Sequence, residues 1–166
     1  MQTSSERARP GSRVAIEEVL DAAITASRAL VGLAARSLAA CDEDVTLPQY
    51  RMLVVLGTRG PQPAATLAGA LGVSAPTATR MCDRLVRKRL VERQANPADR
   101  RQVVLGLTDA GQELVQTVTQ RRRREIAVLL KDVPSDRLAS LVEAFRLFAD
   151  AAGELPHADW AVGWNL

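Results

Sequence analysis

The 166-residue chain is short of the residue types on which most chemistry is built: two lysines, one histidine (His157), two cysteines and five aromatic side chains. Each shortage excludes something. Cys41 and Cys82 lie 41 positions apart and His157 is far from both, so neither a disulfide framework nor a zinc site is expected. The expectation is a reducing, cytoplasmic setting with no metal and no cofactor. There is no Gly-rich phosphate loop, no His/Glu metal pair and no nucleophile elbow, which leaves nothing from which to build an enzyme. The longest uncharged run, residues 60–79, holds three prolines where a membrane helix needs continuous apolar residues. The polar start MQTSSERARPGSR lacks the apolar centre of an export signal. No aromatic residue falls between positions 51 and 144, which argues against the base stacking used by readers of unpaired RNA.

What is present is alanine, 27 residues of it, in a chain 47% hydrophobic and 25% charged. A core of Ala, Leu and Val favours packed helices over a β-sandwich. Of the 22 basic residues, 20 are arginine, whose planar fork suits phosphates and guanine edges. Positions 75–101 hold eight basic residues against Asp83, Glu92 and Asp99, so the positive charge is concentrated in one stretch, as in a nucleic-acid binder.

Hydrophobic periodicity divides the chain into a polar leader (residues 1–13), a long first helix (14–45), a central unit (46–108), two further helices (109–153) and a tail (154–166). The first helix carries Ile16, Val19, Leu20, Ala23, Leu30 and Val31 at helical spacing and is broken by Asp42 to Asp44. Thr46 and Gln49 form a capping-box pattern for the second helix. A third runs from about Ala64 to Leu71 and stops at Gly72, and Ser74 caps a fourth running from Ala75 to about Arg89. Two short helices joined by a Gly-containing turn read as helix-turn-helix. Leu90 to Ala95 and Gln102 to Leu107 are strand-like, with Val103, Leu105 and Leu107 on one face and Asn96-Pro97-Ala98-Asp99 as the turn, so a β-hairpin wing follows. Thr108 opens a fifth helix to about Lys131 and Pro134-Ser135 a sixth. The predicted fold class is mainly α with a small β-wing: a winged helix-turn-helix flanked by long helices.

On the fourth helix Ala78, Met81, Cys82 and Leu85 share one face, which leaves Pro76, Arg80, Arg84 and Arg87 on the opposite one. If its N-terminal end enters a major groove, Ser74, Pro76, Thr77, Thr79 and Arg80 come near base edges, and Arg84 and Arg87 near phosphates. At the hairpin tip, Arg100 and Arg101 can reach a minor groove. Asp99 either pairs with one of them or closes the turn through the backbone; both roles are compatible.

The run Asp99-x-Arg101-x5-Leu107-Thr108-x-x-Gly111, preceded by Leu67 to Ser74 and by Asp83-Arg84-Leu85, resembles the multiple-antibiotic-resistance regulator (MarR) family of bacterial transcription factors. The resemblance implies a homodimer whose first, fifth and sixth helices interlock between subunits, with two recognition helices in successive major grooves of double-stranded DNA and the wings in minor grooves. It gives Asp99 the role of orienting carboxylate and Arg101 that of minor-groove arginine. It also implies a repressor released by a small aromatic or phenolic effector in the cleft between the outer helices and the winged unit, where Tyr50, Arg51, Leu53 and Leu56 fall. The rival reading is a winged-helix protein-interaction module, which would carry an apolar face where this helix carries arginines.

Three features stand outside this scheme. Arg121 to Arg124 circle the fifth helix, so one or two must turn inward, either to pair with Glu17, Glu18 or Asp21 or to face an anionic ligand. Cys41 beside Asp42 to Asp44 is poorly placed to be a thiolate, and Cys82 reads as a small buried apolar residue. The tail carries Trp160 and Trp164, either packed or untethered.

Overall fold

Capping chemistry sets the element boundaries in the computed structural model, which describes residues 10–41, 44–96, 99 and 101–155. The chain forms α1 (Pro10–Ala39), α2 (Leu47–Arg59), α3 (Ala64–Leu71), α4 (Ala75–Arg87), β1 (Val91–Ala95), β2 (Val103–Leu107), α5 (Asp109–Leu130) and, after a 3-10 turn at Ser135–Arg137, α6 (Leu138–Ala151). The Thr46/Gln49 capping box is formed, with the Thr46 N–H donating to Gln49 Oε1 at 3.0 Å. Ser74 Oγ accepts from the Thr77 N–H, and Thr108 Oγ1 from the Gly111 N–H, so each cap predicted from sequence starts its helix.

The strands pair antiparallel with Val91 opposite Leu107 and Ala95 opposite Val103. A backbone bridge between Gln62 and Leu105, with N–H···O distances of 3.0 and 2.9 Å, ties the α2–α3 connection to the base of this hairpin. Under it lies the core: Met52, Leu53 and Leu56 of α2, Leu67 of α3, Ala78, Cys82 and Leu85 of α4, Leu90 and Val91, and Val115 and Val118 of α5. Fully burying such side chains is worth about 1.5–3 kcal/mol each. Thr108 joins the wing to α5 through its own side chain, which donates to the Arg89 carbonyl at 2.6 Å. The next turn packs so closely that a Cβ on Gly111 would sit 2.0 Å from the Leu90 carbonyl oxygen.

The ends of α1 and α5 meet around buried Ser37, whose hydroxyl donates to Glu125 Oε1 at 3.2 Å, while Arg36 approaches the same carboxylate at 3.6 Å. From Ile16 to Val31 of α1 and along α6, apolar side chains face solvent, among them Ile16, Val19, Leu20, Ile24, Val142, Phe145 and Phe148.

Three local expectations are corrected. Helix α1 starts at Pro10, inside the segment read as leader; proline suits a first helical position because its missing N–H is unpaired there anyway. Helix α4 ends at Arg87, and Arg89 stands beyond it at φ 59°, a left-handed conformation usually filled by glycine, with the Leu90 N–H closing on the Leu85 carbonyl at 3.0 Å. On β2 the buried run is Val104, Leu105 and Gly106, while Val103, near the tip, is exposed; both faces of the strand's middle are covered, which removes the simple alternation. The sixth helical segment starts at Pro134-Ser135 as expected, as a 3-10 turn that continues into α6. Residues 1–9 of the leader, Asp42, Glu43, Arg100, and the tail from residue 156 with Trp160 and Trp164 lie outside the described residues.

Candidate nucleic-acid interface

Helix α4 divides as its periodicity predicts. Ala78, Met81, Cys82 and Leu85 are buried, and Arg80, Arg84 and Arg87 are exposed on the other side with Pro76 and Thr79. Its N-terminal turn is held rigid: Ser74 Oγ lies 2.9 Å from Thr77 Oγ1, and Thr79 Oγ1 donates to the Ala75 carbonyl at 3.0 Å. Thr77 is therefore partly engaged by its own cap, which leaves Pro76, Thr79 and Arg80 as the outermost groups of that turn. Arg80 makes only a 3.5 Å contact with Thr77 Oγ1, and Arg87 Nε donates to the Asp83 carbonyl at 3.3 Å. These weak local bonds leave the guanidinium groups available to an outside acceptor.

A clamp that sequence reasoning missed fixes the wing against this helix. Arg93 of β1 donates through Nη2 to Asp83 Oδ1 of α4 at 2.5 Å. The signal was an Asp/Arg pair ten positions apart, visible only once the helix-to-strand turn at Arg89 is known. At the tip, Asp99 Oδ1 accepts the backbone N–H of Arg101 at 3.0 Å, and the Gln102 N–H bonds the Asp99 carbonyl at 2.9 Å. Asp99 thus closes the turn, and among the described residues no ion pair joins it to Arg101, whose side chain is exposed; Arg100, its other expected partner, lies outside the described residues.

The four residues considered for an effector fare differently. Leu53 and Leu56 are sealed in the core, and Tyr50 is 3% exposed. Arg51 is held outside by a two-point ion pair with Glu154, next to a bond from Arg59 to the Gly153 carbonyl. The Tyr50 hydroxyl lies 3.5 Å from Thr119 Oγ1, and the Arg122 guanidinium stands 5.7 Å from its ring centroid. Burial pushes the Tyr50 phenol above its ordinary range, opposed by the Thr119 bond and the Arg122 charge. Arg122 is the inward-turned member of the arginine run, with its Nε buried and unpartnered among the described residues, and Arg121 donates to the Ala40 carbonyl at 2.9 Å. Among the described residues, no ion pair joins this run to Glu17, Glu18 or Asp21; the α1–α5 bonds lie at Arg36, Ser37 and Ala40 instead. Cys82 is buried against Met52, which raises its thiol pKa.

A tri-helical core, a two-stranded wing and the arginine-faced helix α4 together define a winged helix-turn-helix protein of the transcription-regulator class. The MarR family profile matches residues 45–103. Residues of the chain are 32% identical over 99 positions to the multiple antibiotic resistance protein MarR of Salmonella typhimurium, covering 59% of this chain and 69% of that protein. An uncharacterised HTH-type regulator of Bacillus subtilis, YhbI, is 31% identical over 98 residues, covering 59% of this chain and 64% of its own length. The crystal structure of RV1404 from Mycobacterium tuberculosis superposes with a TM-score of 0.79 at 41% identity, covering 86% of this chain and 97% of that one. The chain belongs to the MarR family of transcriptional regulators. No helix among the described residues is long and apolar enough to cross a membrane.

Proposed function

We propose that the chain works as a homodimeric repressor that reads a pseudo-palindromic site in double-stranded DNA and leaves it when a small aromatic or phenolic effector binds. The observation that carries the DNA part is the division of α4, whose apolar side is buried while Arg80, Arg84 and Arg87 stand free on the other. In this reading Pro76, Thr79 and Arg80 meet base edges, with Ser74 and Thr77 shaping the turn. Arg84 and Arg87 meet phosphates, and Arg100 and Arg101 enter the minor groove with Asp99 setting the tip. The dimer is supported by the apolar stripes of α1 and α6, which one copy leaves uncovered. Two copies also space two reading heads about one helical turn apart. For the effector, Tyr50 with Arg122 is the polar contact between α2 and α5 that a phenolic or anionic compound could replace. Such a compound must bind the DNA-incompetent arrangement more tightly, tenfold for each ~1.4 kcal/mol of shift.

The test is fluorescence anisotropy of the protein against duplex from its own upstream region and against a scrambled duplex, at several salt concentrations. With about eight phosphates met, the log–log slope is expected near roughly −7. Arg101→Ala is expected to weaken both duplexes alike, whereas Arg80→Ala also lowers the preference between them by roughly 1 to 3 kcal/mol. Unchanged affinity and preference in Arg80→Ala would refute the groove assignment.

A further inference from the structure

The start of α2 and the end of α4 enclose a cleft of about 380 Å³, lined by Asp44, Thr46, Gln49, Arg84, Arg87 and Lys88. All six residues are polar and three are cationic. Small-molecule pockets of this size are mostly apolar, with a few placed polar groups. The cations suit a phosphate group instead.

Their pairing supports the same occupant. Arg84 has no ion pair among the described residues, and Arg87 spends only its Nε, on a backbone carbonyl. Lys88 meets one carboxylate, Asp44, at 3.6 Å, and the Asp44 side chain is fully exposed. Gln49 is already committed, since its Oε1 holds the Thr46 N–H, so the arginines and Lys88 carry the charge of the site.

Helix geometry then says whose phosphate. From Thr77 to Lys88 is eleven residues, about 16 Å at 1.5 Å per residue. That exceeds the ~12 Å width of the major groove. A helix that enters the groove by its N-terminal turn must therefore emerge with Arg84, Arg87 and Lys88 beside a flanking strand. We infer that the α2–α4 cleft receives a backbone phosphate of bound DNA, and that Asp44 holds Lys88 until the phosphate replaces it. This rests on the DNA reading given above.

The experiment repeats the salt series with the full chain and its Lys88→Gln and Asp44→Asn variants, with Arg80→Ala alongside. Each Lys88→Gln dimer loses one phosphate contact per subunit, so the slope is expected to fall by about 1.8 and the affinity about sixtyfold at 0.1 M salt, equally on the upstream and scrambled duplexes. Asp44→Asn is expected to bind both more tightly, by up to about fivefold per subunit, or about thirtyfold for the dimer, the ceiling for releasing an exposed ion-pair partner. A gain on removing a surface charge has no explanation in simple loss of structure. If both variants keep the wild-type slope and affinity while Arg80→Ala still loses its preference, the cleft assignment fails and the DNA reading stands. If the wild type binds neither duplex at low salt, both fail. Inorganic phosphate titrated into the free protein separates the remaining source. Saturable binding there, with an unchanged duplex slope in Lys88→Gln, would give the cleft to a free phosphorylated molecule and overturn the DNA assignment.

Discussion

Gly111→Ala is expected to leave little folded protein at 37 °C. The added Cβ would stand 2.0 Å from the Leu90 carbonyl oxygen, 3.0 Å from its carbon and 3.3 Å from Leu107 Cδ2. The obstruction is backbone, so no rotamer change relieves it. Thr108 bonds on both sides of the same junction, to the Arg89 carbonyl through its hydroxyl and to the Leu90 carbonyl through its N–H at 3.2 Å. The wing cannot retreat without breaking those bonds and uncovering Leu90, Val91 and Val115. A cost above about 4 kcal/mol is expected, a large share of the 5–15 kcal/mol that holds a domain together. Gly69→Ala is the matched control. That glycine lies in α3 with nothing within 4 Å of an added Cβ, and the change should stabilise by roughly 0.5–1 kcal/mol through helix propensity. Thermal melts followed by circular dichroism decide it: a Gly111→Ala midpoint within about 2 °C of wild type would mean the approach is not close.

Phe148→Glu should separate the dimer while leaving each chain folded. Phe148 is 67% exposed and continues the stripe of Leu138, Val142 and Phe145 along α6, so a charge there disturbs no internal packing. In a homodimer the substitution places a carboxylate in the apolar interface of each subunit, where an unpaired charge is strongly disfavoured. Sedimentation velocity is expected to show a monomer with an unchanged far-ultraviolet spectrum. Loss of the second reading head should then lower affinity for the upstream duplex by about 10² to 10⁴-fold. A variant that still sediments as a dimer moves the interface off α6. A monomer with wild-type affinity would end the two-headed reading altogether.

Local signals were the legible ones. Ser74, Thr46 with Gln49, and Thr108 announce their helices because a cap acts within three residues, and the arginine side of α4 follows from a 100° step. The wing was placed by alternation and turn chemistry, and its antiparallel strands formed, but its burial was not readable, because cover on both faces comes from elements far away in sequence. Arg89 hid the end of α4 by occupying a conformation in which glycine is the usual marker. The Asp83–Arg93 clamp, the Lys88–Asp44 pair and the turning of Arg122 toward Tyr50 join separate elements, and residue order carries no distance for them. The arginine run shows the difference well. Its crowding required an inward member, yet only the packing of α5 against α2 and α1 decided that Arg122 meets an aromatic ring and that its exposed neighbour Arg121 meets a carbonyl.

The Gln62–Leu105 bridge makes the hairpin a lever with its fulcrum at the end of α2. From Leu105 to the tip is roughly 15 Å, two strand residues at ~3.4 Å each and the turn beyond them. A tilt of about 15° at the fulcrum carries Asp99 and Arg101 sideways by about 4 Å, slightly more than the ~3.4 Å that one base pair adds along the axis of the duplex. In the DNA reading proposed above, such a change at α2 would move the wing by about one base-pair step along the duplex, which is enough to turn a matched backbone contact into an unmatched one.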